Sequence, residues 1–213
     1  MLGFAEFIRQ NASAVFALMG AAGGGLFSFI GSWLLRKRDY DLRLWEKLLD
    51  RRVNAHEAVV QTALEMRAVV PSGRVDDRGE AIRAPKVLLS KELFESWMQQ
   101  ASNRTATGTT WLTVDAKREL NFVQDYLLTL YMHLQKVPSA LYPSVGVIVR
   151  EDFIKLSEKL ERCAFQFFES DIRRLKVGDL HSWHKYPLEE TERRLKETNL
   201  IEHYNEVAAL YKN

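Results

Sequence analysis

The sequence has almost no cysteine and no catalytic signature. Cys163 is the only thiol among 213 residues, which excludes an intramolecular disulfide framework and indicates a reducing compartment. The sequence also lacks a phosphate-binding glycine loop, a Gly-x-Ser-x-Gly elbow, a His-Glu-x-x-His helix and a kinase signature. A net charge of +2 is too balanced for the concentrated basic face of nucleic-acid-binding proteins, so no direct nucleic-acid binding is expected.

The longest apolar stretch is defined by its lack of charge. No charged residue occurs from Gln10 to Leu35, and three basic residues follow at once. About 20 apolar residues cross the hydrocarbon core of a bilayer, and no other stretch of the chain is long enough. The sequence therefore predicts one transmembrane helix over residues 12–36, with the lipid bilayer as a partner.

A cleaved signal peptide and a buried helix of a soluble protein are the alternatives for this stretch. The first nine residues contain only Glu6 and Arg9 as charged residues, which is a weak basic start for a signal peptide. Glycine makes the stretch only moderately hydrophobic, which leaves the buried helix open. Under the positive-inside rule, the basic residues after the helix place the C-terminal domain in the cytoplasm and residues 1–11 outside as a short tail.

Two groups of residues in this region are candidate contact sites. The first suits the membrane interface, because tryptophan prefers the headgroup level and basic side chains attract anionic lipids. It comprises Trp33, Arg36, Lys37 and Arg38. The second is a stripe of small residues four apart, typical of close helix–helix contact. It comprises Gly20, Gly24, Ser28 and Ser32. The stripe favours a homo-oligomer, and a monomeric helix that merely contains small residues is the alternative.

The rest of the chain predicts an all-α fold. Apolar residues at helical spacing indicate an amphipathic stalk helix over residues 37–70, continuous with the membrane helix. A cytoplasmic helical domain over residues 71–213 packs with the stalk as a bundle. Its helices are expected after Ser90, from Thr113 or Asp115 towards Pro138, over 151–176 with Gly178 as C-cap, and from Pro187 to about Leu210. Residues 71–85 and 101–110 are predicted loops, and the run 145–149 is β-like or irregular.

Histidine and cysteine give little sign of chemistry. His181 and His184 form a His-x-x-His pair, but zinc needs three or four ligands and the spacing fixes no others. Cys163 lies on an apolar helical face and is expected to be buried. His56 lies near the apolar face of the stalk and is expected to be a core or interface residue. The sequence therefore predicts no catalytic residue, no metal site and no cofactor.

Three arginine pairs are candidates for binding an anion. They are Arg51–Arg52, Arg173–Arg174 and Arg193–Arg194. Arginine binds phosphate through two hydrogen bonds at once, so pairs that converge in the fold could hold a small anionic ligand such as a nucleotide. An acidic residue lies close to each pair in sequence, and ordinary surface ion pairing is the alternative.

The segment Trp45-Glu-Lys-Leu-Leu-Asp-Arg-Arg-Val-Asn-Ala-His-Glu-Ala-Val-Val60 follows the apolar stretch and its basic stop. In this setting it resembles the stalk of small bacterial membrane-anchored helical proteins, some of which are found beside antiviral defence genes. The resemblance covers residues 12–70. It implies a single-pass protein of the bacterial inner (plasma) membrane, with its N-terminus outside and a cytoplasmic helical head, and it provides no catalytic residue.

These observations lead to three hypotheses. The first is a non-enzymatic, membrane-anchored, self-associating protein whose head binds a cytoplasmic protein or a small anionic ligand, as a component of bacterial antiviral defence. The second is an effector that perturbs the membrane when an anionic nucleotide signal binds between heads. The third is an unrecognised enzyme, whose pocket would be lined by His181, His184 and a carboxylate.

Overall fold

The computed structural model describes residue 6 and residues 11–75, 77–171 and 185–210. Contacts divide the chain into two compact units, residues 1–48 and 49–213. Most described residues are helical, which confirms the predicted all-α class. The α-helices are α1 Ala12–Arg67, α2 Lys91–Ala106, α3 Val114–Leu134, α4 Tyr142–Ile148, α5 Arg150–Gln166, α6 Leu188–Lys196, α7 Asn199–Glu202 and α8 Tyr204–Ala209.

In the first unit, α1 presents apolar side chains on all sides. Phe16 is 73% exposed and Phe27 is 77% exposed. The most apolar part of this helix has none of its residues buried against protein. Within the described part of the chain, α1 is the one helix long and apolar enough to cross a membrane. The predicted membrane helix over 12–36 falls inside it.

In the second unit, the core forms where α1, α3 and α5 each present one apolar stripe. Residues three or four apart lie on the same face of a helix, so each stripe buries one side of its helix. The buried residues of the stripes are Ala55, Val59, Ala63 and Met66 on α1, Leu120, Val123, Leu127, Leu130 and Leu134 on α3, and Phe153, Leu156, Leu160 and Ala164 on α5.

Residues 71–75 and 81–85 belong to a β-hairpin, so the prediction of a loop is wrong for them. Strand β1, Val69–Val75, pairs antiparallel with β2, Ala81–Pro85. Gly73 and Gly79 have φ values of +79° and +78°, a conformation that glycine adopts without steric cost. Gly79 lies in the bend between the strands, whereas Gly73 lies within β1 where the register shifts. β-branched residues such as Val69, Val70 and Ile82 favour the strands themselves.

Two other segments are more helical than expected. Residues 101–106, predicted as loop, are the last turns of α2, because Ala101 and Thr105 bury one face there. The run 145–149, predicted as β-like or irregular, lies mostly in α4. Pro143 stands in the first turn of α4, where a missing N–H is tolerated and the fixed φ favours a helix.

The predicted helix starts are confirmed where a side chain caps them. The Ser90 hydroxyl oxygen accepts a hydrogen bond from the backbone N–H of Leu93 at 3.2 Å. Thr113 accepts one in the same way from Ala116 at 3.4 Å. Such caps satisfy backbone donors that the first helical turn leaves unpaired. Residues 172–176 of the predicted helix and Gly178, its expected C-cap, lie outside the described residues.

A buried carboxylate on α5 holds the start of α7. Oδ1 of Asp152 accepts the backbone N–H of Asn199 at 2.8 Å, and Oδ2 accepts that of Leu200 at 3.0 Å. Oδ2 also accepts the Tyr126 hydroxyl at 3.0 Å. Burial raises the pKa of Asp152 above its ordinary value, although these hydrogen bonds favour the charged form. One side chain thus ties the C-terminal helices to α3 and α5.

We expect Asp152→Asn to lower the free energy of unfolding by about 1–3 kcal/mol, because the amide replaces one acceptor oxygen with a donor. The gap to the wild type should shrink as the pH rises. A carboxyl whose pKa is raised on folding stabilises most when protonated, and this contribution is lost as the pH passes through the folded pKa. Thermal unfolding in detergent at several pH values measures both effects. Glu158→Gln, an exposed change on the same helix, should show neither effect, and a gap that widens with pH would contradict the assignment.

Candidate functional site

The predicted membrane-interface residues lie together on consecutive turns of α1. The Lys37 ammonium lies 5.7 Å from the centre of the Trp33 ring, within cation–π range. One turn further on, a shallow cavity of about 410 Å³ opens beside Lys37 and Arg38, with Asp41 and Trp45 also in its wall. The segment therefore combines an aromatic ring and basic groups on an exposed surface.

The small-residue stripe has room for a partner. Among the described residues, no atom outside the helix lies within 4 Å of a Cβ built on Gly20 or Gly24. A side chain added at either position would meet open space. The stripe thus leaves the helix backbone accessible in a single copy of the chain.

The described arginines of the three pairs have separate surroundings. The Arg51 guanidinium lies 5.4 Å from the centre of the Trp111 ring, and that of Arg52 lies 4.8 Å from the Phe167 ring. Arg193 forms exposed ion pairs with acidic residues of α6 and its end. Arg194 is 10% exposed. Arg173 and Arg174 lie outside the described residues. These arginines therefore have different neighbours, which do not bring the pairs into one cluster.

Arg194 binds the most deeply buried carboxylate among the described residues of the second unit. Glu119 on α3 is fully buried, and both of its oxygens accept hydrogen bonds from the Arg194 guanidinium. Oε2 also accepts the Tyr186 hydroxyl at 2.8 Å, and the Lys159 ammonium lies 3.4 Å away. The guanidinium stacks 3.7 Å from the centre of the Phe122 ring. This arrangement neutralises and hydrogen-bonds a charge that would otherwise be very costly to bury.

We expect Glu119→Leu or Arg194→Met alone to lower the free energy of unfolding by about 3–5 kcal/mol, because each removes one partner of a buried ion pair and leaves the other without it. The double variant should recover much of this loss, since apolar side chains can replace a buried ion pair. Thermal unfolding of the wild type, the two single variants and the double variant gives the coupling energy between Glu119 and Arg194.

Arg193→Met is the matched control, because Arg193 is the next residue and its ion pairs are exposed. It should change stability little. Additive effects of the Glu119 and Arg194 substitutions would contradict the pairing.

A second ion pair fixes the orientation of Arg104 on α2. Arg104 Nη2 lies 3.0 Å from Glu65 Oε1. Glu65 also accepts hydrogen bonds from Gln61 at 2.9 Å and from the Trp97 indole at 3.0 Å. Burial alone would raise the pKa of Glu65, but the hydrogen bonds and the charge of Arg104 bring it below the ordinary value. Glu65 therefore favours the ionised form, and its carboxylate pairs with Nη2 of Arg104.

The second terminal nitrogen of the Arg104 guanidinium, Nη1, has no acceptor among the described residues. This nitrogen atom is buried. A buried donor left unpaired costs about 1–3 kcal/mol. The Arg104 side chain as a whole is 28% exposed, so its accessible part can still meet an anion.

Arg104 stands between two adjoining cavities, which we name the Arg104 groove. The smaller has about 320 Å³ and the larger about 700 Å³, volumes in the range of small-molecule sites. Asn54 and Arg104 line both. The smaller is otherwise lined by Arg51, Ala55, Thr107, Gly108 and Trp111, and the larger by Glu57, Ala58, Val60, Gln61, Phe165 and Phe168.

Gly108 and Ala55, which both line the smaller cavity, are in close contact. A Cβ built on Gly108 would lie 3.0 Å from the Ala55 Cβ and 3.1 Å from its Cα. Only glycine therefore fits here without displacing α1. This contact holds the loop before Trp111 against the helix that carries Arg51.

His56 is fully buried on α1 and is a structural residue. Its Nδ1 lies 2.7 Å from the Arg52 carbonyl oxygen, and its Nε2 accepts the backbone N–H of Thr113 at 3.2 Å. These partners assign the tautomer with hydrogen on Nδ1. The ring stacks on Phe167 with centres 4.0 Å apart. Phe167 begins a π-helix, Phe167–Asp171, and the next residue, Phe168, lines the groove.

Other candidate chemistry remains weak. Cys163 is half-buried, and burial raises the pKa of its thiol, which disfavours the nucleophilic thiolate. In residues 11–75, 77–171 and 185–210, no group of three His, Cys, Asp or Glu side chains is placed to hold a metal ion. His181 and His184 lie outside these ranges.

Sequence analysis missed the buried carboxylates and Arg104. Glu119 and Asp152 had one usable signal, since each is an acid at a position where the helical spacing expects an apolar residue. Arg104 had none, because its segment was taken for a loop. Comparison with protein-family models, with curated proteins and with solved structures finds no match.

Proposed function

We propose that this chain is a membrane-anchored, self-associating helical protein whose second unit lies in the cytoplasm and binds a partner or ligand. The first part of α1 is the anchor. The stalk resemblance supports a place in the bacterial plasma membrane and a role in antiviral defence.

The exposed apolar surface of α1 is the observation that carries this proposal. Large apolar side chains project on all sides of the helix, and its most apolar part is not covered by protein. Exposing such a surface to water is unfavourable at roughly 25 cal/mol per Å². A bilayer removes this cost while the helix satisfies its own backbone hydrogen bonds.

The basic residues at the end of the apolar stretch support the orientation. Arg36, Lys37 and Arg38 are exposed on α1, where they can bind anionic headgroups. Their charges outweigh Arg9 on the other side, so the positive-inside rule places the C-terminus in the cytoplasm.

We expect a green fluorescent protein fused after Asn213 to fluoresce in bacterial cells and an alkaline phosphatase fused there to be inactive. The first folds in the cytoplasm, whereas the second needs the oxidising side of the membrane. Replacing Arg36, Lys37 and Arg38 with glutamine should produce mixed orientations. Replacing Arg43 and Lys47, further along the helix, with glutamine should have a smaller effect. An active phosphatase fusion of the native sequence would contradict the orientation.

The small-residue stripe supports self-association. Helices in lipid associate through close packing, and small residues let their backbones approach. Gly20 and Gly24 have the free space that such an approach needs. Oligomers would then form through the anchor and leave the second unit available for its partner.

We expect Gly20→Ile with Gly24→Ile to reduce the oligomer fraction in mild detergent, because the β-branched side chains hold the backbones apart. Size-exclusion chromatography with light scattering measures the mass of the complex. Ala22→Ile is the control, since position 22 lies on the opposite side of the helix at about 100° per residue. An unchanged mass in the double variant, or an equal loss in the control, would exclude the stripe as the interface.

A further inference from the structure

We propose that the Arg104 groove binds a nucleotide, with its phosphate beside Arg51 and Arg104 and its base in the larger cavity. The proposal deepens the function proposed above and rests on the cytoplasmic placement of the second unit, because nucleotides are cytoplasmic ligands. In this proposal Arg51 of α1 and Arg104 of α2 bind the phosphate, whereas the sequence suggested three pairs of adjacent arginines.

The smaller cavity has the charge for a phosphate. Arg51 is exposed and, among the described residues, has no ion-pair partner, so its charge is available to a ligand. Arg104 is already oriented by Glu65, its side chain is 28% exposed, and it lines the cavity. Asn54 and Thr107 add neutral hydrogen-bonding groups to the same wall. Phosphate oxygens are the acceptors that guanidinium groups bind most strongly.

The larger cavity has the surface for a flat ring. Phe165 is 44% exposed although it is aromatic, and Phe168 lies 6.0 Å from it between ring centres. Both side chains line the cavity with Val60 and Ala58. Aromatic side chains stack on nucleobases with about 1–3 kcal/mol per base. Glu57, which lines the same cavity, offers an acceptor for the amino group of a base.

The two cavities adjoin, so one nucleotide can have its phosphate in the smaller cavity and its base in the larger. Asn54 and Arg104 belong to both linings, so the polar and aromatic cavities adjoin. A lone inorganic anion would use only the smaller cavity. An acidic side chain or a lipid headgroup would also leave the aromatic cavity empty. The combination of an arginine-lined end and an aromatic end therefore favours a phosphorylated ligand with a base.

Binding can be tested on the full chain in detergent with a fluorescent ATP analogue. ATP and GTP should compete with the analogue, inorganic pyrophosphate should compete weakly, and glycerophosphoglycerol, the soluble headgroup of an anionic lipid, should not compete. Arg51→Gln should weaken ATP binding by at least about tenfold, the loss expected for one charge-assisted hydrogen bond. Arg162→Gln, an exposed change on α5 outside the groove, should leave binding unchanged.

Phe165→Ala separates a nucleotide site from a bare anion site. It should weaken competition by ATP and leave competition by pyrophosphate unchanged, because only the base contacts the ring. Its melting temperature and that of Arg51→Gln should match the native protein, since both side chains are exposed. Absence of saturable binding, equal binding in Arg51→Gln, or competition by glycerophosphoglycerol as strong as by ATP would overturn the proposal.

The outcome is independent of the tests of anchoring. Binding in detergent needs neither a particular orientation nor an oligomer, so its failure would leave the fusion and mass measurements intact. A phosphatase-active fusion would overturn the cytoplasmic placement, even if the purified protein binds ATP.

Discussion

The second unit depends on the pairing of the buried carboxylate of Glu119. Glu119 is fully buried on α3, and a carboxylate without donors would be very unfavourable there. Its three partners come from two parts of the chain, because Lys159 lies on α5 and Tyr186 and Arg194 belong to the C-terminal segment. Folding must therefore bring that segment to α3 to satisfy the charge. Asp152 has the same role at shorter range, since it accepts backbone donors at the start of α7.

The helix α1 carries two different surfaces along one continuous element. Over its first part, apolar residues surround the axis, which is typical of a membrane helix. Beyond Leu48, apolar residues are confined mostly to one stripe, and Arg51, Asn54, Glu57 and Gln61 occupy exposed positions. The groove is built on that polar side. The first part of this helix is thus the candidate membrane span, and its last part supplies a wall of the groove.

Local features were predictable from sequence and distant ones were not. Ser90 and Thr113 could be predicted as helix starts, because a capping hydrogen bond joins residues only three positions apart. The hairpin was missed because a strand is defined by the partner strand with which it pairs, and the glycines and charges of this segment suggested a loop. Glu119 and Arg194 are 75 residues apart, and no spacing rule connects them. The adjacency of Arg193 and Arg194 was misleading, because neighbouring helical residues point about 100° apart and one side chain is exposed while the other is buried.

Because Gly108 contacts Ala55, the distance between these two backbone segments sets the width of the groove there. Both residues lack a side chain large enough to adapt, so α1 and the loop after α2 approach to the limit of atomic contact. Any larger residue at either position would wedge the wall that carries Arg51 away from the wall that carries Arg104. A related chain could therefore accept a bulkier occupant by changing one small residue, with every polar group of the groove retained.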